Sequence, residues 1–321
     1  MSTKIFSEIQ ISNINLENTF YSFCYPNNLA YKFDKNGDEL YYPPIILEKK
    51  SVNYNVVEGL DRVNYLKSLG EPKINAFIIT NATPVELFRM GIFYTQTYKS
   101  LNLIEKSIII DKLISLFKQD ERTTANEYLP IIKEKPAVNL VKSLLELNKL
   151  SDTIKKYIVE QRFTLSFAKS FCNFTFEEQE LIYKWIEKLK LGVNEVKYFL
   201  ESLNFLSGRD STCVKNILNG DLFTELLSNN TESINSLKKK FQEVFLKLRF
   251  PDYKAHTDKI KNLIKSFKLE PNWKILPPKN LEGDGIDLIF HIKNEAEYAM
   301  VLNKLKVIYD NHSIENLFKL L

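Results

Sequence analysis

The chain has 321 residues, 44% of them hydrophobic and 26% charged, with 44 Lys and Arg against 40 Asp and Glu. That length suits two or three domains of about 100–150 residues each, and the composition excludes wholesale disorder. The apolar stretches are short and broken by charge, well under the roughly 20 residues that a membrane-crossing helix needs. No apolar signal core stands between Met1 and Glu8, so a cytoplasmic location is expected.

Cys24, Cys172 and Cys213 are odd in number and far apart, which fits neither a zinc site nor a disulfide framework. His256, His291 and His312 have no serine or cysteine nucleophile signature beside them, so acyl transfer has no support. No catalytic residue and no metal ligand is assigned. Charge is spread evenly, with 13 basic against 13 acidic residues in 1–120, 15 against 13 in 121–215, and 16 against 14 in 216–321. A net charge of +4 permits a nucleic-acid partner without requiring one.

In chain order, residues 4–14 alternate loosely and suit an edge strand. The segment 27–37 ends in Asp34-Lys35-Asn36-Gly37, a turn signal. Short strands are predicted at 43–48 and 54–58. Gly59 follows, and Leu60, Val63, Leu66 and Leu69 recur at helical spacing up to a stop at Gly70. A third strand is predicted over 74–80. Thr83-Pro84-Val85-Glu86 opens a helix, with Thr83 as cap, Pro84 at the first position and Glu86 three residues on. A further helix spans 104–117.

From about Glu121 the strand runs stop. Helical patterns follow at 126–132, 137–147, 152–160, 165–171, 176–189 and 193–205, and helices this short must pack on one another. Longer helices at 233–249 and 256–267 lead into strands at 273–276 and 286–292, which Pro277-Pro278 and Gly283-Asp284-Gly285 separate. A last helix covers 295–309. The expected fold class is α+β, with a small mixed-sheet domain over 1–120, an all-helical domain over 121–215 and a small α/β domain over 216–321.

A strand that ends at Gly59 and opens a helix aims backbone N–H groups at one spot, which attracts phosphate. Arg62, one turn in, can add a charge-assisted contact. The alternative is that Gly59 only makes a tight turn and Arg62 pairs with Glu58 or Asp61.

The run Val56-Val57-Glu58-Gly59-Leu60-Asp61-Arg62-Val63 resembles the Gly-x-x-Arg box of the ParB N-terminal domain. The strand over 74–79 follows as that family's next strand, and Leu101-Asn102-Leu103-Ile104-Glu105-Lys106-Ser107 resembles its Leu-x-x-Ile-Glu-x-Ala helix start. Two further runs, Leu147–Lys149 with the following Leu150-Ser151-Asp152-Thr153-Ile154, and Phe163-Thr164-Leu165-Ser166-Phe167-Ala168, resemble its helix-turn-helix region. The order and spacing hold over about 5–210. The resemblance implies a bacterial, nucleoid-associated, DNA-binding partition protein or a derived regulator. It further implies a sulfiredoxin-like N-terminal scaffold, double-stranded DNA as partner, a homodimer, a ParA-like ATPase partner, and CTP with Mg2+ as ligand.

The nucleotide motifs depart from that pattern. The arginine-bearing first box falls at 20–27, where Tyr21, Ser22 and Phe23 stand without an arginine. In the Glu-Asn-x-x-Arg box, Tyr94 replaces the acid, Thr95 the amide and Tyr98 the arginine, with Lys99 beside it. The remaining nucleotide-binding candidates are Gly59, Arg62, Thr95 and Lys99. A triphosphate needs a magnesium ion and several cations, so weak or absent CTP hydrolysis is expected.

In the helical middle, 126–132 reads as the first helix of a helix-turn-helix, Lys133-Glu134-Lys135 as its turn and 136–147 as the recognition helix, with Pro136 at the first position. Val138, Leu140, Val141, Leu144 and Leu145 face the core. Asn139 and Ser143 are placed to read bases, and Lys133, Lys135 and Lys142 to hold phosphates. Glu146 sits awkwardly for that role. The alternative is a helical bundle with a merely solvated outer face, which is also the expected account of Lys155, Lys156 and Arg162. Two other function classes stand beside DNA binding. One is an enzyme on the same scaffold; its sulfiredoxin form needs a cysteine where Leu60-Asp61 stands, and its kinase form would use Asp61 or Glu58. The other is an interaction protein that binds neither nucleotide nor DNA.

Overall fold

The computed structural model describes residues 3–26, 44–228, 232–278, 281, 283, 285–311 and 313–321. The turn expected at 27–37 lies outside them, as do Pro43, Asp284 and His312. The chain divides into two compact units, Met1–Leu200 and Glu201–Leu321.

The first unit opens with a five-stranded mixed sheet in the order β1-β5-β3-β4-β2. Its strands are β1 (Thr3–Gln10), β2 (Ile14–Asn15), β3 (Ile45–Lys49), β4 (Tyr54–Glu58) and β5 (Lys73–Thr80). β1 runs antiparallel to β5, from Thr3 opposite Thr80 to Gln10 opposite Lys73. β5 lies parallel to β3, β3 antiparallel to β4, and β4 parallel to β2. The β-branched runs seen in the sequence supply the core under one face: Ile9, Ile45, Leu47, Val56, Ile74 and Ile78 pack with Val63 of α1 (Leu60–Ser68).

Two capping boxes start the next helices. In α2 (Pro84–Thr95) the Thr83 side chain accepts from the Glu86 backbone and Glu86 reaches back to Thr83, with Pro84 at the start as expected. In α3 (Leu103–Ser115) Asn102 and Glu105 do the same. Then come α4 (Glu121–Thr123), a wide helical turn Thr124–Tyr128, α5 (Val138–Glu146), α6 (Asp152–Gln161), α7 (Leu165–Phe171), α8 (Phe176–Leu189) and α9 (Val193–Asp210). No strand occurs between Thr124 and Arg209. The buried side chain of Gln179 ties these short helices together. It accepts from the Ser151 N–H at 2.7 Å and donates to the carbonyls of Lys149 and Phe174, both at 2.8 Å.

Three helix boundaries differ from the sequence reading. The helix expected at 126 begins at Glu121, because the Asp120 carboxylate accepts from the Thr123 N–H at 2.9 Å and starts the turn early. α5 begins at Val138 rather than Pro136: Ala137 is extended at φ −152° and forms the cap, so Pro136 precedes the helix. α9 continues to Asp210 instead of stopping at 205.

The second unit contains α10 (Val214–Leu218), α11 (Asp221–Ser228), α12 (Ile234–Arg249) and α13 (Pro251–Ser266). These lead to the antiparallel strands β6 (Trp273–Leu276) and β7 (Asp287–Phe290), then α14 (Glu295–Asp310) and α15 (Ser313–Phe318). Phe223, Phe241 and Phe245 form one aromatic cluster. Ile260, Phe267, Ile275, Ile308 and Leu317 form a second core. α13 starts five residues before the expected 256, because Pro251 occupies its first turn. α10, α11 and α15 are too short to show a helical period in the sequence. No described helix is long and apolar enough to cross a membrane.

Candidate functional site

The turn from β4 into α1 carries two buried charged groups, Glu58 and Arg62. Gly59 sits at φ +94°. A Cβ there would lie 2.5 Å from Cγ2 of Ile45 and 2.7 Å from a terminal nitrogen of Arg62, so backbone conformation and close approach both demand glycine. Arg62 turns back and pairs with Glu58, the two side chains being 4% and 2% exposed. The Tyr98 hydroxyl donates to the other oxygen of that carboxylate, and the guanidinium lies 5.2 Å from the centre of the Tyr98 ring. Burial, followed by the Glu58 charge, pushes the Tyr98 phenol far above its ordinary range.

Lys99 belongs to a neighbouring group. Its ammonium donates to Glu105 at 2.6 Å and approaches the Cys24 sulfur at 3.6 Å. Burial pulls the Lys99 ammonium down, but Cys24 and Glu105 outweigh it and the net direction is up. Burial pushes the Cys24 thiol up to about 12. Glu105 also accepts from the Tyr25 N–H at 3.1 Å and the Asn102 N–H at 3.0 Å, and the Asn102 amide donates to the Tyr25 carbonyl at 2.7 Å. Asp61 feels the charges of both groups. Its carboxyl is held up first by burial, with Lys99, Glu105, Glu58 and Arg62 all acting on it.

Of the four nucleotide candidates, Gly59, Arg62 and Lys99 therefore share one region, in which two cations meet the carboxylates of Glu58, Asp61 and Glu105. Thr95 is fully buried beside Tyr98, and its hydroxyl donates to the Gly91 carbonyl at 2.9 Å within α2. Where the family's first arginine is expected, Tyr21 and Phe23 are core residues, 2% and 3% exposed. Burial, followed by the Glu48 charge, pushes the Tyr21 phenol above its ordinary range, and Phe23 packs edge-on to Phe88. The sequence reading missed Tyr98 and Glu105 as the partners that engage Arg62's acid and Lys99. The one signal available for them was the capping pattern Asn102-x-x-Glu105.

The second candidate surface is the start of α5. Lys133 takes a left-handed turn at φ +60°, and the Glu134 N–H closes the preceding helical turn on the Leu129 carbonyl at 2.9 Å. Val141 and Leu144 are buried, so Asn139 and Lys142 project outward. Lys133 and Lys135 are also exposed. No side chain caps the helix start at Ala137. Lys142 stands 3.6 Å from Glu121, with both groups well exposed, a pairing worth little in water. Ser143 is different: it is half-buried and accepts from Lys169 of α7 at 3.1 Å. The same ammonium lies 3.2 Å from Glu146, which offsets the one carboxylate that looked out of place. Lys156 pairs with Asp152 at 2.7 Å, and Arg162 is the left-handed cap at the end of α6.

No protein-family model matches the chain, and no curated protein does. Among solved structures it is similar to ParB-like partition proteins. One is the C-terminally truncated chromosome-partitioning protein ParB from Caulobacter crescentus complexed to the centromeric parS site, with 16% identity, 61% of this chain and 98% of that one covered, and a TM-score of 0.32. The same protein complexed with CTP-gamma-S is similar at 15% identity over 52% and 92% of the two chains, with a TM-score of 0.21. A third is a pNOB8-like ParB N-domain, at 14% identity over 76% and 97%, with a TM-score of 0.38.

Proposed function

We propose that this chain is a ParB-like DNA-binding protein, acting in chromosome or plasmid partition or as a regulator derived from such a protein. The observation that carries the reading is the exposed start of α5. Lys133, Lys135, Asn139 and Lys142 project from a segment whose apolar side is buried. Uncapped backbone N–H groups at a helix start attract phosphate, lysines add counterion-releasing contacts, and an asparagine can pair with an adenine edge. Ser143 is a weaker reader, because Lys169 already holds its oxygen. On this reading residues 1–120, 121–215 and 216–321 act as separate domains, and the protein works as a nucleoid-associated homodimer with a ParA-like ATPase partner.

The test is a gel shift against fragmented genomic DNA from the source, with salt varied, followed by two variants on the selected site. Asn139→Ala is expected to cost about 1–3 kcal/mol at that site and little elsewhere. Lys135→Ala is expected to weaken all sequences alike and to lower the salt slope by about one. If both variants bind the selected site like the parent, α5 is not the reader.

The same proposal includes a degenerate nucleotide pocket. A triphosphate entering beside Gly59 would meet Glu58, Asp61 and Glu105 and two cations that already have carboxylate partners, so binding must first break buried ion pairs. Phosphate release from CTP with Mg2+ and saturating DNA is expected at or near background. Turnover comparable with that of ordinary ParB proteins would count against this part.

A further inference from the structure

β1 is an open edge. All eight of its residues pair with β5 on one side, and on its other side no strand pairs with it among the described residues. Proteins usually blunt such an edge with charged side chains, proline, a bulge or a short strand; β1 carries Lys4 and Glu8 but has eight residues, no proline and an unbroken register. Two large apolar side chains stand exposed on it, Ile5 and Phe6, at 51% and 58%.

Beside this edge lies a cleft of about 500 Å³ between the sheet face and α2, lined chiefly by Phe77, Ile79, Met90, Phe93 and Tyr94. Phe6 extends the same face, 5.5 Å from the Phe77 ring. Phe93 is 68% exposed at the cleft, which is a large apolar group left in water. The rim is cationic. The Lys4 ammonium sits 3.6 Å over the Phe77 ring, and Arg89 is exposed without an ion pair among the described residues. Glu86, the rim's acid, is already engaged by the Thr83 N–H and hydroxyl, both at 2.8 Å.

We infer that β1 and this cleft form a docking site for an extended, acidic and aromatic segment of a partner protein, which adds as a sixth strand along β1 and lays alternate side chains against Phe6, Phe77 and Phe93. Strand addition explains why an open backbone edge and an apolar cleft lie side by side: the edge supplies main-chain hydrogen bonds and the cleft selects side chains. Charge picks the partner. Lys4 and Arg89 favour carboxylates in the incoming strand and disfavour a basic one. Ile131, two residues before Lys133, also lines the cleft, and docking there does not require DNA binding.

The test uses the full chain and a fluorescein-labelled peptide, Glu-Ile-Thr-Phe-Glu-Phe-Asp, read by anisotropy and by amide exchange. Saturable binding is expected, with slowed exchange of the β1 amides. Arg89→Glu and Phe93→Ser should each weaken binding at least tenfold, and since both side chains are exposed neither should change the melting temperature. Methylating alternate peptide amides should abolish binding, as should replacing the acids with lysine. Three outcomes overturn the inference. One is no saturation up to millimolar peptide. Another is binding indifferent to Arg89, Phe93 or methylation. The third is a chain that self-associates through β1, seen by sedimentation with β1 amides protected in the absence of peptide, since the occupant would then be a second copy.

Discussion

Replacing Arg62 with alanine separates two roles that the sequence left open, a phosphate ligand or a structural partner of Glu58. In the structure the Glu58 side chain is 2% exposed and is held by Arg62 and by the Tyr98 hydroxyl. Among the described residues, Arg62→Ala removes the cation paired with it and leaves a buried carboxylate facing the neutral Tyr98 hydroxyl. Breaking a buried pair from one side costs about 3–5 kcal/mol. For a unit of this size each kcal/mol moves the melting temperature by roughly 2–4 °C, so a fall of about 6–20 °C is expected. The assay is thermal unfolding followed by far-ultraviolet circular dichroism, repeated with the Glu58→Gln/Arg62→Met double variant. The double variant should recover most of the loss, because no uncompensated charge stays buried. If Arg62→Ala melts within about 2 °C of the parent, the ion pair does not hold the turn. If that variant instead keeps its stability and loses CTP binding, Arg62 is a phosphate ligand and the structural account is wrong.

Two further outcomes are expected from the same turn. Gly59→Ala should destabilise by about 1–3 kcal/mol through its backbone conformation and a further 1–3 kcal/mol or so through the clash with Ile45; a denaturant midpoint unchanged from the parent would contradict the geometry. Asp61 has its folded-state pKa raised above the ordinary value, chiefly by burial, so its ionised form opposes folding and stability falls as pH rises through that shifted value. Asp61→Asn should therefore stabilise the protein at pH 7, and the gain should fade below the ordinary carboxylate value of about 4. A gain that persists unchanged at low pH would point to some cause other than charge.

The local patterns were legible because their causes are local. Thr83 and Glu86 make a capping box with backbone groups at most three residues away, and α7 and α8 show their limits through their own Thr164 and Thr175 caps. Tyr21 and Phe23 are core residue types, and the structure buries them. Where the sequence reading missed two helix starts in the middle of the chain, a non-obvious capping residue decided each. Asp120 started one helix early, and extended Ala137 delayed another.

By itself, then, the sequence determined the mixed-sheet start and the helical stretch that follows, because hydrophobic period, caps and turns are written within a few residues. It could not determine the partner of a charge. Whether Arg62 faces ligand or Glu58, whether Lys99 is open or held by Glu105, and whether Ser143 is free or tied by Lys169 depend on groups between 4 and 26 residues away. The ring of Tyr98 reaches Glu58 across 40 residues, and Tyr25 reaches Glu105 across 80. A buried charge is settled by whichever opposite charge the folded chain carries to it, and only packing in three dimensions fixes which one that is.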